Sequence, residues 1–186
     1  AARHDRMLNL SGGDAAALAE IKLCQDLLLR GVEPDLYSLA LLSHHRDPLE
    51  SRNANIPTDL PAVWAILGQP HRAESLARSI TSLDQRVEAL AAVARVMAAA
   101  ELERARALAT EAEQVARSIS DPNGQVEALA VVAGAVAAAG EVEHAEQVAR
   151  SITDPHQQAK ALTELAQFSG LPVAHRCRLL GEAFAA

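Results

Sequence analysis

Aromatic residues make up only 2% of this 186-residue chain, which has one Trp, one Tyr and two Phe. Without large rings the core must be filled by Ala, Leu and Val. These pack closely but give each helix little area to bury, so stability must come from many helices stacked together. Basic charge is also short. Seventeen Lys and Arg against 24 Asp and Glu leave a formal net charge of -7. That balance argues against a nucleic-acid partner, since phosphate binding needs a net or local basic field. Cysteine is scarce too: Cys24 and Cys177 lie far apart and belong to no close-spaced ligand or redox motif. Both fit a reducing compartment in which cysteine serves as a small hydrophobe. No apolar run approaches the length of a membrane span and no signal-peptide pattern opens the chain, so a cytoplasmic protein is expected. The chain starts "AARHD" without Met and ends "GEAFAA" inside a helical pattern, which reads as a piece of a larger protein.

Repetition is what the chain has in quantity. "RSI" occurs in "LARSIT" (76–81), "VARSIS" (115–120) and "VARSIT" (148–153), with its Arg at intervals of 39 and 33 residues (117 − 78 and 150 − 117). The segment before RSI repeats as well, "GQPHRAESLARSIT" (68–81) aligning without a gap to "GEVEHAEQVARSIT" (140–153). So does the segment after it, in "DQRVEALAAVA" (84–94), "NGQVEALAVVA" (123–133) and "HQQAKALTELA" (156–166). Each copy is therefore a pair of helices, and the middle copy carries roughly two extra turns around "ERARALA" (103–109).

The punctuation of one copy is direct. Asp121-Pro122 and Asp154-Pro155 set a capping carboxylate before a proline at the first helical position. The helix from Pro122 places Val126, Leu129, Ala133 and Val136 on one face and stops at Gly140. A second helix, from about Glu141 to Ile152, turns Ala145, Val148, Ala149 and Ile152 inward. The Ile of RSI is then the last apolar side chain before the turn. The Arg and Ser beside it are read as stacking residues, because a feature present in every copy serves the array.

This near-33 period of helix–turn–helix copies resembles the tetratricopeptide repeat family. The pattern falls on Ala133, Val136, Gly140, Ala145 and Pro155, and in the earlier copy on Trp64, Gly68 and Ala73. There are departures: the second helix lacks its usual large aromatic, Pro155 comes early, and Glu101 stands where the turn glycine belongs. The resemblance covers residues 55–170 and implies an all-α fold, a right-handed solenoid of antiparallel helix pairs with about nine or ten helices. Residues 1–54 would form an N-terminal helical segment and 171–186 a capping or continuing helix. Long Ala-rich arrays of actinobacterial type with "ARSITDP" phrasing (149–155) are similar. They imply a scaffold or sensor region, by analogy one coupled to a nucleotide-driven switch. In the tetratricopeptide pattern the first helices line a groove. The resemblance assigns that role to Asn55, Glu88, Arg95, Glu127, Lys160, Thr163 and Gln167, with small Ala91 and Ala130 between them. A protein or peptide is the occupant such a groove implies.

The N-terminal part reads differently. "GDAAALAEIKLCQDLLLRG" (13–31) is a helix capped by Asp14 and stopped at Gly31, with Leu18, Ile21 and Leu28 inward. "RGVEPDLYSLALLSHHRD" (30–47) resembles a pentatricopeptide joint, a family that reads RNA base by base. It occurs once, against an acidic net charge, and otherwise Pro34-Asp35 simply starts a helix. "HHRDPLESRNANIPTDLP" (44–61), with three of the eight prolines, is expected to connect these helices to the array.

Reactive constellations are missing. His44 and His45 are adjacent and point apart on a helix, whereas a helical metal pair stands at i, i+4. Together with Asp47 they read as a solvated helix end. "NLSGGDA" (9–15) lacks the strand before it and the GK[ST] after it that a phosphate loop needs. Trp64 in "PAVWAILG" (61–68) is expected in the core. No nucleophile–base arrangement can be argued, so the expectation is a non-catalytic interaction region without a cofactor or metal. RNA binding and small-molecule sensing remain as alternatives. Val173, Cys177, Leu180 and Phe184 make an apolar stripe at i, i+4, i+7 and i+11, which either folds inward or serves self-association.

Overall fold

The computed structural model describes residues 14–30, 34–167 and 172–185. These form ten α-helices, and no strand occurs among the described residues. Gly12, Gly13 and the helix stop expected at Gly31 lie outside them. The chain divides into two compact units, Ala1–Ser82 and Leu83–Ala186. No helix among the described residues is long and apolar enough to cross a membrane.

The first unit contains α1 (Ala15–Leu29), α2 (Leu36–Ala54), α3 (Leu60–Ile66) and α4 (Pro70–Ser79). Helix α1 packs on α2 and α4, and α3 packs on α4. Asp35 caps α2 as its position predicts, accepting bonds from the Tyr37 and Ser38 N–H groups, both at 3.1 Å. The Ser38 hydroxyl also bonds it, and together these hold its carboxyl below the usual carboxylate range. Asp14 behaves otherwise. It makes no capping bond, is buried at 4% exposure, and accepts instead from Arg52 Nη2 and Nε at 2.9 and 3.2 Å. Taking a carboxylate out of water is costly, and the Arg52 guanidinium offsets part of that cost.

Residues 44–54, expected in a connector, belong to α2, which runs through Pro48. Proline removes one backbone donor and disfavours a helix interior. The Arg46–Glu50 pair at 3.3 Å and the Gln25–Ser43 bond at 3.1 Å span this stretch and tie it to α1. Trp64 is half-buried rather than core. The Arg72 guanidinium lies 3.9 Å from its ring centroid, so one ring face meets a cation and not an aliphatic neighbour.

The second unit contains α5 (Leu83–Met97), α6 (Leu102–Arg117), α7 (Pro122–Ala138), α8 (Val142–Arg150), α9 (Pro155–Ala166) and α10 (Val173–Ala185). Consecutive helices pack together, and in addition α5 meets α7 and α7 meets α9. Asp121 and Asp154 accept from the Gly124 and Gln157 N–H groups, both at 2.8 Å, so the two Asp-Pro starts act as read from the sequence. Val126, Leu129, Ala133 and Val136 are buried on α7, as are Ala145, Val148, Ala149 and Ile152 on and after α8. The turn glycines Gly68 and Gly140 have φ of 73° and 79°, the left-handed region where a side chain is strained. The extra turns of the middle copy are in α6, which has 16 residues against 9 in α8.

The threefold RSI now has a local explanation. Ile80, Ile119 and Ile152 are 0%, 8% and 3% exposed. The serine hydroxyls of Ser79, Ser118 and Ser151 donate to carbonyls three or four residues back, those of Ser75, Val115 and Val148. Gln125 Nε2 donates to the Arg117 and Ile119 carbonyls at 3.0 and 3.3 Å, and Gln158 Nε2 does the same to Arg150 and Ile152 at 3.0 and 3.2 Å. Carbonyls orphaned at a helix end are thus satisfied from the following helix.

Candidate interaction groove

Helices α5, α7 and α9 leave a groove of about 300 Å³ between exposed side chains. Glu88 and Arg95 from α5, Glu127 from α7, and Lys160 and Glu164 from α9 line it, over a floor of Ala130, Val131 and Gly134. Three of these residues reach the groove for a simple reason. Positions 88, 127 and 160 stand at the same place in the three aligned segments, one residue after an inward-facing position (Val87, Val126, Ala159). A register that buries Val87 and Val126 turns the next side chain outward.

Four of the seven residues assigned to the groove from the sequence therefore meet there: Glu88, Arg95, Glu127 and Lys160. The others do not line it. Thr163 is half-buried and its hydroxyl donates to the Ala159 carbonyl at 2.7 Å, turned back on its own helix. Gln167 is exposed at the C-terminal cap of α9. Asn55 belongs to the first unit, where its amide donates to the Ser51 carbonyl at 2.7 Å and closes α2. Of the small residues expected between them, Ala130 lines the groove, while Ala91 is fully buried. Glu164, Val131 and Gly134 lie at residues the sequence reading did not select.

The electrostatics are unusual for this chain. Most of its described charges are paired, yet no ion pair or hydrogen bond holds the side chains of Glu88, Arg95, Glu127, Lys160 or Glu164 among the described residues. A small recess of about 50 Å³ adjoins the acidic end, where Asp84 joins Glu88 and Glu127. Gly124 keeps it open, since a Cβ there would come within 3.2 Å of Asp84 Oδ1. The groove holds carboxylates, an amine, a guanidinium and the Gln157 amide, with no hydroxyl, thiol or imidazole among its lining residues. Such groups can offer a ligand charge and hydrogen bonds.

A second polar feature escaped the sequence reading. Four residues before each RSI arginine stands a glutamate, and all three are buried: Glu74, Glu113 and Glu146 are 9%, 7% and 3% exposed. Their arginines, Arg78, Arg117 and Arg150, bond them at 3.1, 2.5 and 2.8 Å. The next helix of the same kind adds a histidine. His144 Nε2 meets Glu113 at 2.7 Å, while His175 Nε2 bonds Glu146, which Arg178 also reaches at 2.9 Å. Burial pushes the Glu146 carboxyl up, but the bonds from His175 and Arg150 and the nearby His175 and Arg178 charges outweigh it and hold it below the usual range. The signal was present as Glu-x-x-x-Arg in "AESLAR" and twice in "AEQVAR", the i, i+4 spacing of a helical ion pair.

His44 and His45 are exposed within α2, with ring centroids 5.8 Å apart and planes tilted by 57°. No group of three potential metal ligands occurs among the described residues. Comparison with the models of known protein families, with curated proteins and with solved structures yields no match to this chain.

Proposed function

We propose that this chain is a non-catalytic protein–protein interaction region, in which the groove across α5, α7 and α9 receives a segment of a partner protein carrying both signs of charge. The observation that carries this reading is the set of five unpaired charges facing one groove in a chain that pairs most of its others. Charged groups left solvated and convergent contribute specificity and association rate when a complementary partner arrives. In this reading the helices form a right-handed solenoid of antiparallel pairs of tetratricopeptide type, acting as a scaffold or sensing region of a larger cytoplasmic protein. Three features support that architecture: the register shared by positions 88, 127 and 160, the packing of α5 on α7 and of α7 on α9, and the glutamate–histidine rungs between α6, α8 and α10.

The test is selection of binding peptides from a displayed random library against the whole chain, followed by affinity measurement with two charge-reversed variants. Arg95→Glu with Lys160→Glu should weaken the selected peptides at least tenfold, and Glu88→Lys with Glu127→Lys should do so for the same peptides. Binding unchanged by both pairs would move the site elsewhere.

A further inference from the structure

Helix α10 is the one place where the repeated glutamate is replaced. His144 and Glu146 stand two residues apart on α8, His144 facing Glu113 of α6 and Glu146 facing α10. On α10 the equivalent of His144 is His175, which bonds Glu146, so the equivalent of Glu146 is Cys177. A further helix of the same kind would bring a histidine to a residue that cannot accept its bond strongly. The surface at this end of the series is instead apolar. Val173, Leu180 and Phe184 are 73%, 38% and 92% exposed, and Cys177 is exposed between them.

The rest of α10 sharpens this. All its charged side chains are already engaged within the chain. His175 and Arg178 bond Glu146, Arg176 Nε donates to the Ala166 carbonyl at 2.9 Å, and Glu182 holds Arg150 at 2.9 Å. No charged side chain of this helix therefore adds an unpaired charge beside the apolar stripe. At ~100° per residue the four apolar residues fall within a sector of ~60°, opposite the side that meets α8. Their spacing of four, three and four is the d-a-d-a step of a coiled-coil seam, which suits another helix with the same step.

We infer that this face of α10 is covered by the same face of a second copy of the chain, in a twofold dimer. An isologous contact needs a self-complementary patch, and the stripe is one. In an antiparallel pairing Val173 meets Phe184 and Cys177 meets Leu180 of the second copy, leaving the two thiols adjacent across the axis. Four side chains from each copy make a small interface, so the dimer is reversible and forms with rising concentration. The inference uses none of the groove residues and stands or falls separately from the groove reading.

The experiment is sedimentation equilibrium of the whole chain under reducing conditions over a hundredfold range of concentration. The mass should climb from 19.7 kDa toward twice that value. Phe184→Asp alone and Leu180→Asp with Phe184→Asp should remain monomeric with unchanged circular dichroism. The single variant guards against loss of fold, because Phe184 is 92% exposed. In a Cys24→Ser background a short bismaleimide should join two chains through Cys177, and the product should disappear in Phe184→Asp. A monomer at every concentration overturns the inference. So does a dimer that survives both aspartate variants, or one whose Cys177 cannot be cross-linked.

Discussion

Replacing Glu146 by alanine tests the reading of the buried glutamates most directly. Glu146 is 3% exposed and accepts from Arg150 at 2.8 Å, from Arg178 at 2.9 Å and from His175. A hydrogen bond to a charged group contributes about 1.5–3 kcal/mol, and breaking a buried pair costs about 3–5 kcal/mol. The partners here are only partly buried, Arg150 and Arg178 retaining 40% and 53% exposure, and Arg150 keeps Glu182. They recover water when Glu146 is lost, so the cost falls to about 2 kcal/mol. For a unit of this size that lowers the melting midpoint by on the order of 10 °C. The pH dependence follows from the depressed carboxyl. Its contribution is present above the unfolded value of 4.5 and is lost as pH falls through the lower folded value. Urea unfolding of wild type and Glu146→Ala should therefore differ by about 2 kcal/mol at pH ~7, and the difference should shrink as pH falls below 4.5. A difference below about 0.5 kcal/mol at pH ~7, or one that does not shrink in acid, would refute the reasoning.

Asp154→Ala removes the cap of α9 and should cost about 1 kcal/mol in urea unfolding, with Asp154→Asn restoring most of it. Gly140→Ala forces a side chain into a left-handed turn with φ 79° and should cost about 1–2 kcal/mol, whereas Gly134→Ala, in open space on α7, should stabilise slightly. Arg52→Met leaves Asp14 buried without its guanidinium and should destabilise the first unit by about 2–3 kcal/mol, seen as faster amide exchange in α1 and α2. Arg95→Glu with Lys160→Glu should leave the melting midpoint nearly unchanged, within about 0.5 kcal/mol of stability, since neither charge is paired.

What could be read in the sequence was what local chemistry decides. Asp-Pro before an apolar face starts a helix at 122 and at 155, glycine ends one at 68 and 140, and the inward residues of α7 and α8 follow from a 3.6-residue period. The failures involve partners distant in the chain. Asp14 has the residue type and position of a cap, but Arg52 lies 38 residues on and takes its carboxylate. Pro48 looks like the edge of a connector, yet α2 continues past it. Trp64 fits a core position until Arg72 stacks on its ring. For the groove the common register of 88, 127 and 160 was visible. That Thr163 would bond back to its own helix, and that Glu164 would complete the charge set, depends on side-chain directions no spacing records.

The aligned copies separate two kinds of position. At inward positions the residue type hardly changes: Leu90, Leu129 and Leu162 are all buried, as are Ala94, Ala133 and Ala166. Close packing permits few other volumes there. At the groove the same register carries Glu88, Glu127 and Lys160, and two turns on it carries Arg95 and Gly134. Free surface would vary too, so variation alone decides nothing. The difference lies in what the varied residues do. On the second helices glutamate and arginine pair with each other at i, i+3 or i, i+4, as Arg104 does with Glu101 and Arg117 with Glu113. In the groove Glu88 and Arg95 stand seven residues apart, one whole turn too far to satisfy each other, and their neighbours across the groove are equally unpaired. A chain that pairs a buried glutamate with an arginine in each repeated second helix leaves five charges of both signs unpaired on one groove, Glu88, Arg95, Glu127, Lys160 and Glu164. Convergent unpaired charges of both signs are a property an ordinary solvated face does not need and a docked segment would use.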